Sequence, residues 1–359
     1  MTSIPSLNPS NHWQLLEFCR QESIDFVVVG PEQYLVEGVV DALTAAGVPA
    51  FGPTAAAAEL EGSKAFMKAM CERQGIPSAA FASFTDPARA RDFVRAHGAP
   101  IVVKTSGLAA GKGVTIAQTI EEADAAIDSM LVEGAFGGAG AEIDHKAAYD
   151  GDRGPNTGGM GSYSPAPVLT PELQDLAVRT IIHPTARGMC AEGRPFRGVL
   201  FAGLMIEGGG VKLLEHNVRF GDPECQSLMV RLRSDLLHTL QGVMRGEAPP
   251  LDWDPRPSLT VVMAAKGYPG KYEKDCVIQG LEDVRGAKVF HAGTKLTTSG
   301  QVVSAGGRVL GVTALGDTVA EAQKAAYAAV DSIRFPDGFC RRDIGWRAVA
   351  REQQAAQRS

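Results

Sequence analysis

The chain has 359 residues, 45% apolar and 21% charged, with a formal charge of −6. That length suits a soluble protein of two or three domains with a sizeable core, and the acidic balance does not point to nucleic acid as a partner. No apolar run reaches the roughly 20 residues that span a bilayer, and the first residues lack the basic and apolar regions of a signal peptide, so a cytoplasmic protein is expected. The six cysteines are scattered without a CxxC pair and the seven histidines show no metal spacing. This fits reduced thiols rather than a disulfide or zinc framework.

In chain order, residues 1–10 are rich in Ser, Pro and Asn and are expected to be loosely held. Asn11 is placed to cap a helix through residue 22, with Trp13, Leu16 and Cys19 on one face. DFVVVG (25–30) reads as a buried parallel strand. It runs into Gly30, Pro31 and Glu32, at the strand end where open α/β sheets bind ligands. A helix over 35–46 and a strand over 48–52 follow. Residues 54–74 read as a helix broken near Gly62, carrying Ser63 and Lys64. A strand over 79–84 and a helix capped by Asp86, to about 97, come next.

Residues 100–118 read as strand, Gly-rich loop and strand, and Thr119 with Glu122 forms a capping box on a helix to about 131. The stretch 136–161, ending in GPNTGGMG, is too poor in apolar alternation to predict a strand pair. A helix over 171–192 is followed by a hairpin of 198–207 and 211–217 about three glycines. A helix over 226–246 then leads to a β-rich region, with strands at 258–266, 288–293, 302–305 and 308–315. Thr318 and Glu321 start a last capped helix, to about 333.

Several of these segments carry chemistry. In PIVVKTSGLAAGKG (100–113), Lys104 ends a strand and the loop holds Gly107, Gly111, Lys112 and Gly113. Glycines let successive N–H groups converge on one anion, and lysine adds a point charge. The spacing is not that of a Walker A motif, because Gly113 stands where Ser or Thr would hold Mg²⁺ and a strand follows rather than a helix. A Gly-rich turn between two strands over a nucleotide is the ATP-grasp arrangement, although the loop alone fits a surface hairpin equally well. Period two puts Glu215 and Asn217 on one strand face, as hard oxygen donors suited to Mg²⁺. Alone, that pair also fits an exposed strand face. Arg219, Asp222 and Glu224 crowd the next turn. Asn156, Thr157, Gly158 and Gly159 offer amide, hydroxyl and free backbone N–H groups to a carboxylate or phosphate, or form no more than a flexible loop. Gly307 and Arg308 make a second anion site or a hairpin turn with an exposed arginine. No covalent nucleophile is suggested, so the chemistry expected is positioning and charge neutralisation.

Together, DFVVVGPE, LEGSKAFMK, IVVKTSGLAAGKGV, GPNTGGMGSYSPAP, LLEHNVRFGDPECQ, HAGTK, GGRVLGVTALGDT and FCRRDIGW resemble, in order, the phosphoribosylamine–glycine ligase (glycinamide ribonucleotide synthetase) family of the ATP-grasp superfamily. The resemblance covers most of the chain from about residue 14. It implies ATP-dependent ligation of glycine to 5-phosphoribosylamine through glycyl phosphate, an early step of purine synthesis. It further implies that Lys64, Lys104 and the 107–113 loop hold ATP phosphates and that Glu215 and Asn217 bind Mg²⁺ or Mn²⁺. Asn156 to Gly159, Arg219 and Asp222 would surround glycine and the acyl phosphate, with Arg219 and Asp222 the catalytic pair. Gly30, Pro31, Glu32, Gly307 and Arg308 would face the phosphoribosyl part. A monomer, without nucleic-acid or membrane partners, is implied as well.

The sequence departs from the family's pattern in three places. The family's opening strand and GSGGREHA-like turn are replaced by a short unrelated lead. About a strand pair, on the order of 30 residues, is missing near 141–146, and Thr105-Ser106 stands where the family has Ala-Asp. The expected fold is α/β, with α+β in an ATP-grasp core. Its expected parts are a shortened N-terminal α/β domain (1–53), an ATP-grasp region (54–246, with linker and small subdomain to 100 and the core over 101–246) and a C-terminal β-rich domain (247–359). The alternative function is a ligase remnant, cut short in the gene or in its reading, that binds nucleotide weakly.

Overall fold

The computed structural model describes residues 3–78, 82, 84, 86–99, 101–104, 114–129, 147–149 and 153–357. It forms two compact units built from interleaved stretches. One comprises Met1–Glu142, Pro171–Phe220 and Leu236–Pro249; the other comprises Ile143–Thr170, Gly221–Asp235 and Pro250–Ser359.

In the first unit, helix α1 (His12–Gln21) starts where Asn11 accepts the Gln14 N–H. Strand β1 (Val27–Val28) is shorter than the sequence suggests, because its parallel neighbour β2 (Ala50–Phe51) pairs only two residues. Between them the single helix expected over 35–46 is two, α2 (Glu32–Val36) and α3 (Val39–Ala45). Gly38 separates them at φ +83°, a left-handed conformation that suits glycine and ends a helix. Helices α4 (Ala55–Gly62) and α5 (Lys64–Gln74) break at Ser63, which is extended and accepts the Phe66 N–H. Helix α6 (Pro87–His97), the antiparallel pair β3 (Ile101–Lys104) and β4 (Val114–Ala117), and α7 (Ile120–Ile127) follow. The strand expected at 79–84, the 107–113 loop and the shortened 141–146 region lie largely or wholly outside the described residues.

The chain enters the second unit for β5 (Ala147–Tyr149), β6 (Arg153–Asn156) and β7 (Gly161–Ser164). These correct the expectation that the stretch lacks a strand pair. β5 and β6 pair with each other, and β7 takes its register from a strand a hundred residues on, so apolar alternation is not needed to specify it. Back in the first unit, α8 (Pro171–Ala177) continues through a π-helical turn (Val178–Ile182) into α9 (His183–Ala191). Strands β8 (Phe201–Glu207) and β9 (Gly210–Asn217) then form a hairpin over Gly208 and Gly209, both at positive φ as tight hairpin turns demand.

The helix expected over 226–246 is interrupted. α10 (Glu224–Arg231) lies in the second unit and α11 (Leu236–Arg245) in the first. The backbone between them leaves the helix because Leu232 bridges Trp253 and the Arg233 N–H donates to Asp252. The rest is the β-rich region: β10 (Ser258–Ala265), β11 (Val277–Ile278), β12 (Ala287–His291), β13 (Thr294–Leu296), β14 (Val302–Ser304), β15 (Arg308–Leu315), α12 (Val319–Ser332), β16 (Gly338–Phe339) and α13 (Trp346–Ala356). β10 is buried along its whole length. β15 lies on one edge of β10, while β7 pairs its first half and β16 its last two residues. Each unit has its own core, around Leu35, Leu43, Met67 and Leu213 in the first and Leu259, Val261, Val312 and Ala326 in the second.

Candidate active site

In the first unit, the site residues meet where the end of β9 faces the α4–α5 break. Lys64 is the first residue of α5, and its Nζ lies 3.8 Å from Glu215 Oε2 on β9. Asn217, two residues on, donates from Nδ2 to Glu61 Oε1 at 3.2 Å. The β9 bulge lies before Glu215, so the two residues keep the shared face that period two predicts. His216 points the other way, with Nδ1 against the Phe201 carbonyl and Nε2 against Thr185. A carbonyl only accepts, so Nδ1 carries the proton. Burial holds this imidazole neutral, its pKa depressed to about 4.

Arg219 lies just past the end of β9. It donates to Glu32 at 3.2 Å and pairs with Glu61 at 2.9 Å. Glu32 opens α2, directly after Gly30 and Pro31. Glu61 also accepts the Val218 N–H at 2.7 Å. Burial raises the Glu61 carboxyl above its ordinary range, while Arg219 and the Val218 N–H oppose that shift.

Glu32, Glu61 and Glu215 against Lys64 and Arg219 leave one formal negative charge in excess. With two oxygen donors on one face, this cluster fits a hard divalent cation whose remaining positions go to water and phosphate. Among the described residues no group of three His, Cys, Asp or Glu side chains forms a metal site by itself. The strand position of Lys104 is described, but its side chain, like the 107–113 loop, falls outside the described residues.

In the second unit, a different cluster forms around Arg308, the first residue of β15. Its Nη1 donates to the carbonyls of Gly158 (2.6 Å), Gly159 (3.3 Å) and Asp222 (2.5 Å), and Nη2 to Asp222 Oδ2 (2.7 Å). The loop after Asn156, the last residue of β6, is therefore fastened to the turn that carries Asp222. The expectation of free N–H groups in this loop is corrected. The Gly158 N–H donates to the Tyr268 hydroxyl and the Gly159 N–H to buried Thr157. Gly159 sits at φ +108°, where a Cβ would fall 2.7 Å from Pro223 Cδ. Gly307 lies beneath Tyr268, whose ring would meet a Cβ at 2.3 Å, so it is a packing glycine as well as a neighbour of Arg308. Cys225, the second residue of α10, has its thiol pushed up to about 11 by burial and by Asp222 and Glu224.

Sequence reading missed Glu61 and Tyr268. Glu61 sits at the carboxyl end of α4, where the helix dipole disfavours a carboxylate, and that misplaced charge is its one local signal. Tyr268 has none, because its partner is 110 residues away.

Models of phosphoribosylglycinamide synthetase match the chain in three parts: the N domain at residues 2–61, which corrects the expectation that the lead is unrelated to the family, the ATP-grasp (A) domain at 62–143 and 142–225, and the C domain at 258–347. A phosphoribosylamine–glycine ligase of Rhizobium meliloti is 53% identical over 382 positions, covering 98% of this chain and 90% of that one. As 98% of 359 residues is about 352, about 30 of those positions have no counterpart here. A chloroplastic phosphoribosylamine–glycine ligase of Arabidopsis thaliana is 50% identical, over 99% of this chain and 74% of that one. The crystal structure of phosphoribosylamine–glycine ligase from Thermotoga maritima superposes with a TM-score of 0.75 at 32% identity, covering 82% of this chain and 81% of that one. The biotin carboxylase domain of Hydrogenobacter thermophilus 2-oxoglutarate carboxylase shares the fold alone, with a TM-score of 0.66 at 15% identity over 92% of this chain and 79% of that one. With identity near one half over nearly its whole length, the chain belongs to the phosphoribosylamine–glycine ligase family.

Proposed function

We propose that this chain joins glycine to 5-phospho-β-D-ribosylamine at the expense of ATP, giving glycinamide ribonucleotide, ADP and phosphate. A carboxylate resists attack by an amine until one of its oxygens becomes a better leaving group. Transfer of the ATP γ-phosphoryl group to the glycine carboxylate supplies that group. The ribosylamine nitrogen then bonds to the carbonyl carbon, the C–O bond to phosphate breaks, and the nitrogen loses a proton. The observation that carries this reading is the cluster of Lys64, Glu215 and Asn217 at the end of β9, in a chain of this family.

Lys64, Lys104 and the 107–113 loop hold the ATP phosphates by charge and by backbone N–H groups. Glu215 and Asn217 hold Mg²⁺ or Mn²⁺, which would neutralise phosphate charge. Arg219 and Asp222 serve the glycine and acyl-phosphate groups. The 156–159 loop and Arg308 keep Asp222 in place, and Gly30, Pro31, Glu32 and Gly307 serve the phosphoribosyl part. Acyl phosphates hydrolyse readily, so water has to be kept from the intermediate. About 30 residues missing relative to the Rhizobium meliloti ligase, and an A-domain match in two stretches meeting at 142–143, support an internal shortening there. We read the protein as a cytoplasmic monomer; among the described residues no helix is long and apolar enough to cross a membrane.

The test is coupled ADP release with ATP, Mg²⁺, glycine and freshly made phosphoribosylamine, using a Lys104→Ala/Glu215→Ala double variant as blank. Turnover above the blank that requires both co-substrates supports the proposal. Nucleotide binding by folded protein without turnover overturns it in favour of a ligase remnant.

A further inference from the structure

Glu61 is an expensive residue where it stands. It is buried, 9% exposed, and sits at the carboxyl end of α4, where the helix dipole repels an anion. Its partners are three consecutive residues at the point where the chain leaves β9: the Asn217 side chain (3.2 Å), the Val218 N–H (2.7 Å) and the Arg219 guanidinium (2.9 Å). All three donate. An ionised carboxylate can only accept, so the Asn217 amide must turn its nitrogen toward Glu61, and its carbonyl oxygen is directed away. A metal cation takes that oxygen and never the NH₂ group.

We propose that Glu61 is a positioning residue for the metal site: it fixes the Asn217 amide in the one orientation that lets Asn217 act with Glu215 as an oxygen donor. The Val218 N–H bond locks the backbone beneath Asn217, and Arg219 balances the buried charge. This rests on the reading of Glu215 and Asn217 as metal donors. A second group that orients a metal ligand in this way affects affinity by about 10- to 100-fold.

The experiment is calorimetric titration of the full chain with ADP, once with excess Mn²⁺ and once in EDTA, for wild type, Glu61→Ala, Glu61→Gln, Glu215→Ala and Asn217→Ala. The Mn²⁺-dependent gain in ADP affinity should fall at least about 10-fold in Glu61→Ala and less in Glu61→Gln, which keeps one acceptor oxygen. ADP affinity in EDTA should stay at the wild-type value in both. Adding Asn217→Ala to Glu61→Ala should cost little more, because both remove the same donor. If Glu61→Ala loses affinity equally with and without metal, its role is structural and the proposal fails. Should it fail to fold, the near-isosteric Glu61→Gln carries the same comparison. If both Glu61 variants keep the full Mn²⁺ gain while Glu215→Ala loses it, the positioning role fails and the metal site stands. If Glu215→Ala and Asn217→Ala also keep it, the metal-site reading itself falls, and the proposal with it.

Discussion

Arg308 grips Asp222 twice, through the carboxylate at 2.7 Å and through the backbone carbonyl at 2.5 Å, while the same guanidinium holds the Gly158 carbonyl at 2.6 Å. One planar cation thus fastens two turns that lie 86 and 150 residues away in sequence. Lysine has the charge without the fork, so it can satisfy only part of this set. Arg308→Lys should lower stability by about 1–2 kcal/mol, chiefly through carbonyls left without a donor, because the Asp222 carboxylate itself is half exposed. Turnover should fall more than stability, as Asp222 loses its anchor. Denaturant melts beside the coupled ADP-release assay separate the two effects.

Gly159 tests the loop from the other side. Its φ of +108° and the Pro223 ring at 2.7 Å from a built Cβ both oppose a side chain. Gly159→Ala should cost about 1–3 kcal/mol and raise KM for glycine. Gly193→Ala is the control, with φ +74° but nothing within 4 Å, and should cost about 1 kcal/mol with no kinetic effect.

Lys64 stands at the amino end of α5, where a cation opposes the helix dipole. Its contact with Glu215 is long, at 3.8 Å, which makes a weak ion pair although both side chains are largely shielded from solvent. Lys64→Ala should therefore cost about 1 kcal/mol, the ordinary size of a point substitution. Its kcat should nevertheless fall by about 100-fold, as when one preorganised charge is removed from a reacting phosphate. A large drop in stability would show that the lysine is there for packing.

Cys225 and Cys190 should differ sharply toward alkylation. A thiol pKa raised to about 11 means that thiolate appears only as pH climbs toward that value, so at pH 8 only about one molecule in a thousand carries it. Cys190 is exposed. Iodoacetamide at pH 8 should modify Cys190 at least about 100-fold faster, read by peptide mass spectrometry. Asp222→Asn should narrow the gap, because one of the charges that raises the Cys225 thiol is gone.

The parts of the fold legible in the sequence are those governed by contacts three or four residues apart. Asn11, Asp86, Thr119 and Thr318 cap the helices expected of them, because a cap is a bond between a side chain and an N–H within the next turn. The shared face of Glu215 and Asn217 was legible for the same reason. What escaped depends on distant partners. β7 has no alternation of its own and exists because β10 pairs with it. The bonds of Glu61 span 156 and 157 residues, and apart from a carboxylate at the wrong end of α4 no local pattern marks them. The 156–159 loop looked like a donor of free N–H groups, and its composition gave no sign that Tyr268 and Thr157 would take them.

The interleaving of the two units limits how this protein can be cut or recombined. The chain crosses between them after Glu142, Thr170, Phe220, Asp235 and Pro249. A fragment starting at Pro250 contains most of the β-rich sheet, yet it lacks β7 and α10. The first half of β10, buried on every residue, would then present open backbone hydrogen-bonding groups, and the Ser258 and Thr260 hydroxyls would lose Ser227. Such a piece should aggregate rather than fold, and exchanging it as a cassette between relatives should fail unless residues 143–170 and 221–235 travel with it. In this architecture the unit of exchange is three separate stretches of chain moved together.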